Sequence, residues 1–136
     1  MLASIVGDVG AARAVFATSF ARPAIAITAE RLAYEIAPLL ASEPRRRLVN
    51  EYLTELLPEL TLEIIPALER FQRPVLVVWG DSDEFMPVAS ARWLEEHVPG
   101  VRRVVIVPGA KLFFPEEEHE LLNRELRAFW RSARPE

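Results

Sequence analysis

Two runs of β-branched and aromatic residues constrain this chain more than anything else in it: "PVLVVW", residues 74–79, and "VRRVVIVP", residues 101–108. Each is short, largely apolar and bounded by turn formers, so each reads as a strand with both faces covered. The stretch between them is far too long for a hairpin turn. It suits a parallel pair, which needs a crossover of a dozen residues or more. A helix for that crossover is written between them, from about Pro87 to His97. Val88, Ala91, Leu94 and Val98 recur along one side, and Gly100 stands just past the end. After the second run a long helix is expected from near Pro115. Glu116, Glu117 and Glu118 fill its first turn, where the dipole favours negative charge, and Leu122, Leu126, Phe129 and Trp130 form its buried stripe. Residues 73–136 thus read as a βαβα unit with two parallel strands and a right-handed crossover.

Residues 1–72 follow a different grammar, helix after helix. Thr28 can cap a helix whose apolar stripe is Leu32, Ile36, Leu39 and Leu40. Ser42 and Pro44 open the next, with Leu48, Val49, Tyr52, Leu53 and Leu56 on its inner side. "PELTLEIIPALERFQ" supplies a third, carrying Leu62, Ile65, Leu68 and Phe71, and Pro66 kinks it or marks its true start. The expected fold class is α/β: a helical region, 1–72, followed by the βαβα portion, 73–136.

Bulk chemistry removes several functions. The absence of cysteine excludes disulfides, Cys-based zinc sites and thiol nucleophiles, and is compatible with a cytoplasmic setting. A net charge of −4 argues against a nucleic-acid partner. The one basic cluster, Arg45 to Arg47, reads as the solvated side of a helix. The apolar opening "MLASIVGDVGAARAVFATSFA" has no basic n-region and is interrupted by Asp8 and Arg13, so neither a signal peptide nor a membrane span is expected. No cofactor is implied, because there is no glycine-rich phosphate loop. No metal is implied either, since "EEEHE" is better read as a solvated helix start.

In parallel sheets, chemistry sits beyond the carboxyl ends of the strands. Here those ends carry "GDSDEFMP", residues 80–87, and "GAKLFFPEEEHE", residues 109–120. Asp81, Ser82 and Asp83 all suit a turn, because their side chains bond nearby backbone groups.

The ordered run of strand, G-x-x-D turn, helix, strand, G-A, aromatic, acidic run and helix resembles the α/β-hydrolase fold. "RPVLVVWGDSDEFMP" is similar to the penultimate core strand of those enzymes. "VVIVPGAKLFFPEEEHELLNRELRAFW" is similar to their last strand and closing helix, and the helical half resembles a cap of the haloalkane dehalogenase, epoxide hydrolase and esterase branch. The resemblance covers Arg73 to Trp130 and implies a partial hydrolase fold. It places Asp83 on the family's acid position, where the carboxylate bonds and orients an imidazole. The family's histidine position is occupied by Leu112, preceded by Lys111. Leucine has no proton to exchange, and an ordinary lysine ammonium keeps its proton near neutral pH. His119, seven residues further on, and His97 read as surface or core-edge histidines. The resemblance also implies a nucleophile on a G-x-[S/D]-x-G elbow, and no such motif occurs in the sequence.

The expectation is therefore a truncated hydrolase relative, inert alone. One part of a split hydrolase is the first alternative. The unpaired edge of strand 74–79 makes a homodimer, or a partner chain that completes the core, the expected association. The second alternative is a binding module for a small apolar ligand, with Phe16, Phe20, Tyr34, Tyr52, Trp79 and Phe85 either lining its pocket or filling the core.

Overall fold

The computed structural model describes residues 9–55 and 58–133. The protein is α/β, mostly helical with a two-stranded parallel sheet. It divides into two compact units: one made of residues up to Thr18 together with Arg22–Glu63, the other of Ser19–Ala21 together with the chain from Ile64 onward.

The first unit is helical. It contains α1 (Val9–Thr18), α2 (Pro23–Ala26), α3 (Ala29–Glu35), α4 (Ala37–Leu40), α5 (Glu43–Thr54) and α6 (Pro58–Leu62). Thr28 caps α3 through its Oγ1, which accepts from Arg31 N at 3.1 Å. The single helix expected to carry Leu32 to Leu40 is instead two, broken at Ile36. Pro38 has no N–H to continue the ladder, so the chain restarts on the Ile36 carbonyl, which accepts from Leu39 and Leu40. Ser42 stands at the N-cap of α5, but its side chain makes no capping bond.

Burial in this unit departs from the expected stripes. Ile27, Leu32 and Ile36 are buried, whereas Leu48 and Tyr52, expected to face inward, are 61% and 66% exposed. A few short helices offer little opposing surface, so the periodic apolar faces are only partly covered. Leu56 lies outside the described residues. The basic cluster does more than face solvent. Arg45 and Arg46 donate to the carbonyls of Pro38 and Leu40 at 2.8 Å each, satisfying the C-terminal end of α4.

The second unit contains α7 (Ile65–Leu68), β1 (Val75–Gly80), α8 (Val88–His97), β2 (Val101–Val107), α9 (Phe114–Glu117) and α10 (His119–Ser132). Pro66 sits in the first turn of α7, the one place in a helix where its missing N–H costs nothing. β1 and β2 pair in parallel, Val77 beside Val104 and Gly80 beside Val107, with an extra residue, Arg102, bulged out of β2. α8 packs on both strands and buries Ala91 completely. At the other end of the crossover a side chain on Gly100 would meet the Arg73 carbonyl at 2.1 Å, and Gly100 N donates to Phe71 O.

The expected long closing helix is also two, α9 and α10, separated at Glu118. Its expected stripe needs correcting. Leu122, Leu126 and Phe129 are half-buried, but Trp130 is 60% exposed, and the most buried residue of α10 is Glu125. Glu125 reaches Arg103 of β2 at 2.6 Å, an ion pair that helps explain a carboxylate in that place. Val107, Ala110 and Phe114 form the core beside the strand ends, with Val78, Val105 and Leu121 packed on them. Ser19–Ala21 joins this core: Phe113 N donates to Ser19 O at 3.0 Å, and Ala21 N donates to the Glu117 carboxylate at 2.9 Å. Phe20, 1% exposed, lies 5.0 Å from the Phe113 ring. Among the described residues no helix is long and apolar enough to cross a membrane.

Candidate functional site at the carboxyl ends of the strands

The two loops that leave β1 and β2 are joined into one structure. Asp81 N donates to Val107 O at 3.2 Å and Ser82 N to Ala110 O at 3.0 Å, extending the pairing past the strands. The approach is close because residue 80 is glycine: a Cβ there would sit 2.2 Å from Ala110 O. The loop after β2 turns at Gly109, the one described residue with a left-handed backbone, φ 71°. Its N–H donates to Asp81 Oδ1 at 2.7 Å, and Ser82 Oγ donates to the same oxygen at 2.9 Å.

Asp83 follows two residues on and works on its own loop. Its Oδ1 accepts from Phe85 N at 2.8 Å and Met86 N at 2.9 Å. Such a bond pattern holds a turn, as an aspartate at a helix N-cap does. The second oxygen of Asp83 makes no hydrogen bond among the described residues, so a half-exposed carboxylate stands there with its orientation already set. Trp79 braces the same loop by donating from Nε1 to Met86 O at 2.8 Å.

Across the junction, Lys111 Nζ meets Glu84 Oε1 at 2.6 Å. This pair ties residues 27 apart in sequence and engages the lysine that precedes Leu112. Leu112 follows it, half-buried. Neither histidine bonds Asp81 or Asp83. His97 stacks on Trp93 at 4.6 Å, with Nδ1 3.0 Å from the Trp93 carbonyl. His119 begins α10, exposed, with Nδ1 near the Glu116 carbonyl at 3.4 Å. Among the described residues no three side chains of the metal-binding types converge.

The arrangement can therefore orient a carboxylate and hold two strand-end loops rigidly together. Asp83 and Lys111 fall in one joined pair of loops, while His97 and His119 make only local contacts. Sequence reasoning missed Glu84 as the lysine's partner. The only available signal was opposite charge at the ends of two strands expected to be neighbours. It also missed Ser19–Ala21, for which a "SFA" tripeptide at the end of an apolar helix gives no warning.

A second feature lies wholly within the helical unit. Phe16, Ile36, Leu39, Leu40, Leu48, Val49, Tyr52 and Leu53 line an open apolar cavity of about 460 Å³. Of the six aromatic residues weighed for a pocket, Phe16 and Tyr52 line it. Tyr34 is exposed and Phe20 is core of the other unit. No family model matches the chain, and no curated protein matches it.

Proposed function

We propose that this chain carries the acid-bearing, C-terminal portion of an α/β-hydrolase-type core, and that it does not hydrolyse substrates by itself. The observation that supports this most is the joined pair of loops at the ends of the parallel strands. Asp83 presents an oriented carboxylate there, yet Leu112 stands where an imidazole would be needed, and Lys111 is engaged by Glu84. Nucleophile, oxyanion donors and base carry nearly all the rate in such enzymes. A carboxylate alone supplies little. On this reading its substrate class, esters, epoxides or haloalkanes, belongs to an assembly in which another polypeptide brings the strand and G-x-[S/D]-x-G elbow.

The test is reconstitution. The chain is mixed with a polypeptide bearing that elbow, with and without Leu112→His, and assayed on an ester, an epoxide and a haloalkane. Turnover only with both the partner and the histidine is the expected result. Turnover with Leu112 unchanged would show that the base lies elsewhere and would overturn the assignment.

A second reading, binding of a small apolar molecule, is favoured by the cavity beside Phe16 and Tyr52, whose size is typical of ligand pockets. It predicts a rise in melting temperature with small apolar esters or acids, abolished by Leu40→Trp. No shift over a broad panel removes this reading.

A further inference from the structure

The two sides of α5 differ. Arg46, Val49, Asn50 and Leu53 are half-buried, whereas Arg45, Leu48, Tyr52 and Glu55 are exposed. Spacings of three, four and three residues put the exposed four in one stripe along the helix. Glu55 is the C-cap, but its backbone stays right-handed and its N–H still donates to Glu51 O at 3.0 Å, so the stripe reaches it unbroken. In order, the stripe is cation, leucine, tyrosine, anion. Its two apolar members also line the open cavity of this unit. Other charges of α5 are matched inside the helix, Arg46 to Glu43 at 2.9 Å and Arg47 to Glu51 at 3.4 Å. Arg45 and Glu55 make no ion pair among the described residues. Arg45 gives one N–H to Pro38 O, a neutral acceptor that leaves its charge uncompensated.

We infer that this stripe packs on the same stripe of a second copy, antiparallel across a two-fold axis level with Asn50. Arg45 and Glu55 stand equally far from residue 50 in the sequence, and so do Leu48 and Tyr52. A two-fold axis crossing the helix at that level runs the second helix the other way. Each Arg45 then meets Glu55 of the other copy, and each Leu48 meets Tyr52 of the other copy. A parallel pairing would set Arg45 against Arg45 and Glu55 against Glu55. The order of charges thus complements its own reverse, and this selects a second copy as the occupant. Covering Leu48 and Tyr52 supplies the drive, and the two ion pairs fix direction and register. Glu51, the nearest like charge on the flank, is already held by Arg47. A contact between single helix faces falls below the roughly 1,200 Å² of a stable interface, so the dimer is weak and reversible. The inference lies wholly within the helical unit and rests on neither functional reading above.

Sedimentation equilibrium on the wild-type chain, diluted from roughly 1 mM to reach weak complexes, should show a reversible dimer. Arg45→Glu gives each stripe two anions and Glu55→Arg gives it two cations. Either variant alone should raise the Kd about tenfold, since two exposed ion pairs become like-charge contacts. An equimolar mixture of the two variants should dimerise as tightly as the wild type, because opposite charges meet again at both ends. A folding defect cannot produce that recovery. Leu48→Glu, at an exposed site, should abolish the dimer and provides a separate test if Arg45→Glu does not fold. A monomer at every concentration overturns the inference, including one whose melting temperature rises with a small apolar ester. So does a dimer unmoved by Leu48→Glu. Single variants that weaken the dimer while their mixture fails to restore it also overturn it, because the charges then do not meet across the axis.

Discussion

Gly80 and Gly109 stand in the same pair of loops and are glycine for different reasons. At Gly80 the constraint is space, since backbone atoms of Ala110 occupy the place of a Cβ and have no flexible end to yield. At Gly109 the space is open and the constraint is a positive φ. Gly80→Ala should therefore cost about 2–3 kcal/mol, as overpacking does, and Gly109→Ala nearer 1 kcal/mol. Urea denaturation of the two variants checks the order; equal losses would mean the loops do not meet as described. Asp83 allows a similar separation of causes. Its bonds to Phe85 and Met86 use a single oxygen that asparagine also has. Asp83→Ala should lose about 1 kcal/mol and Asp83→Asn only a few tenths. If both variants fall equally, the negative charge matters to the fold and not merely the acceptor.

Elements of the second unit were the most legible, because local and tertiary signals agree there. An unbroken apolar run between turn formers is a strand signal in itself, so β1 could be recognised from "PVLVVW" alone, although only Val77 and Gly80 of it are fully buried. Thr28 and Pro66 mark helix starts by backbone chemistry that neighbours cannot override. Helix stripes were less legible, since periodicity names a face but not whether anything covers it; Leu48, Tyr52 and Trp130 all show this. At the site, the turn chemistry of Asp81 and Asp83 was visible, whereas the Glu84–Lys111 bridge depends on how two distant loops meet. Glu125 was hidden for a related reason: its burial is tied to Arg103 on another element. Arg103→Met should cost about 1–3 kcal/mol by leaving that buried carboxylate only the longer contact with Arg124, at 3.5 Å, and adding Glu125→Leu should recover most of the loss. Thermal or urea unfolding of the double-mutant cycle decides it. Simple additivity of the two losses would show that the pair is not coupled.

For the whole molecule, two features stand out: a two-stranded sheet in one unit and apolar surface in the other, where Ile25, Leu48 and Tyr52 are each more than 60% exposed. The loops at the strand ends hold an oriented carboxylate next to an engaged lysine and a leucine, and on the proposed reading this set does not hydrolyse substrates by itself. Rate enhancement needs a nucleophile and stabilisation of the charge it creates, and an orienting acid cannot substitute for either. The most direct test is the initial rate of a simple chromogenic ester with the purified 136-residue chain, beside Ser82→Ala and a buffer blank. The account predicts identical rates in all three. Saturable turnover by the wild-type chain that disappears in Ser82→Ala would contradict it.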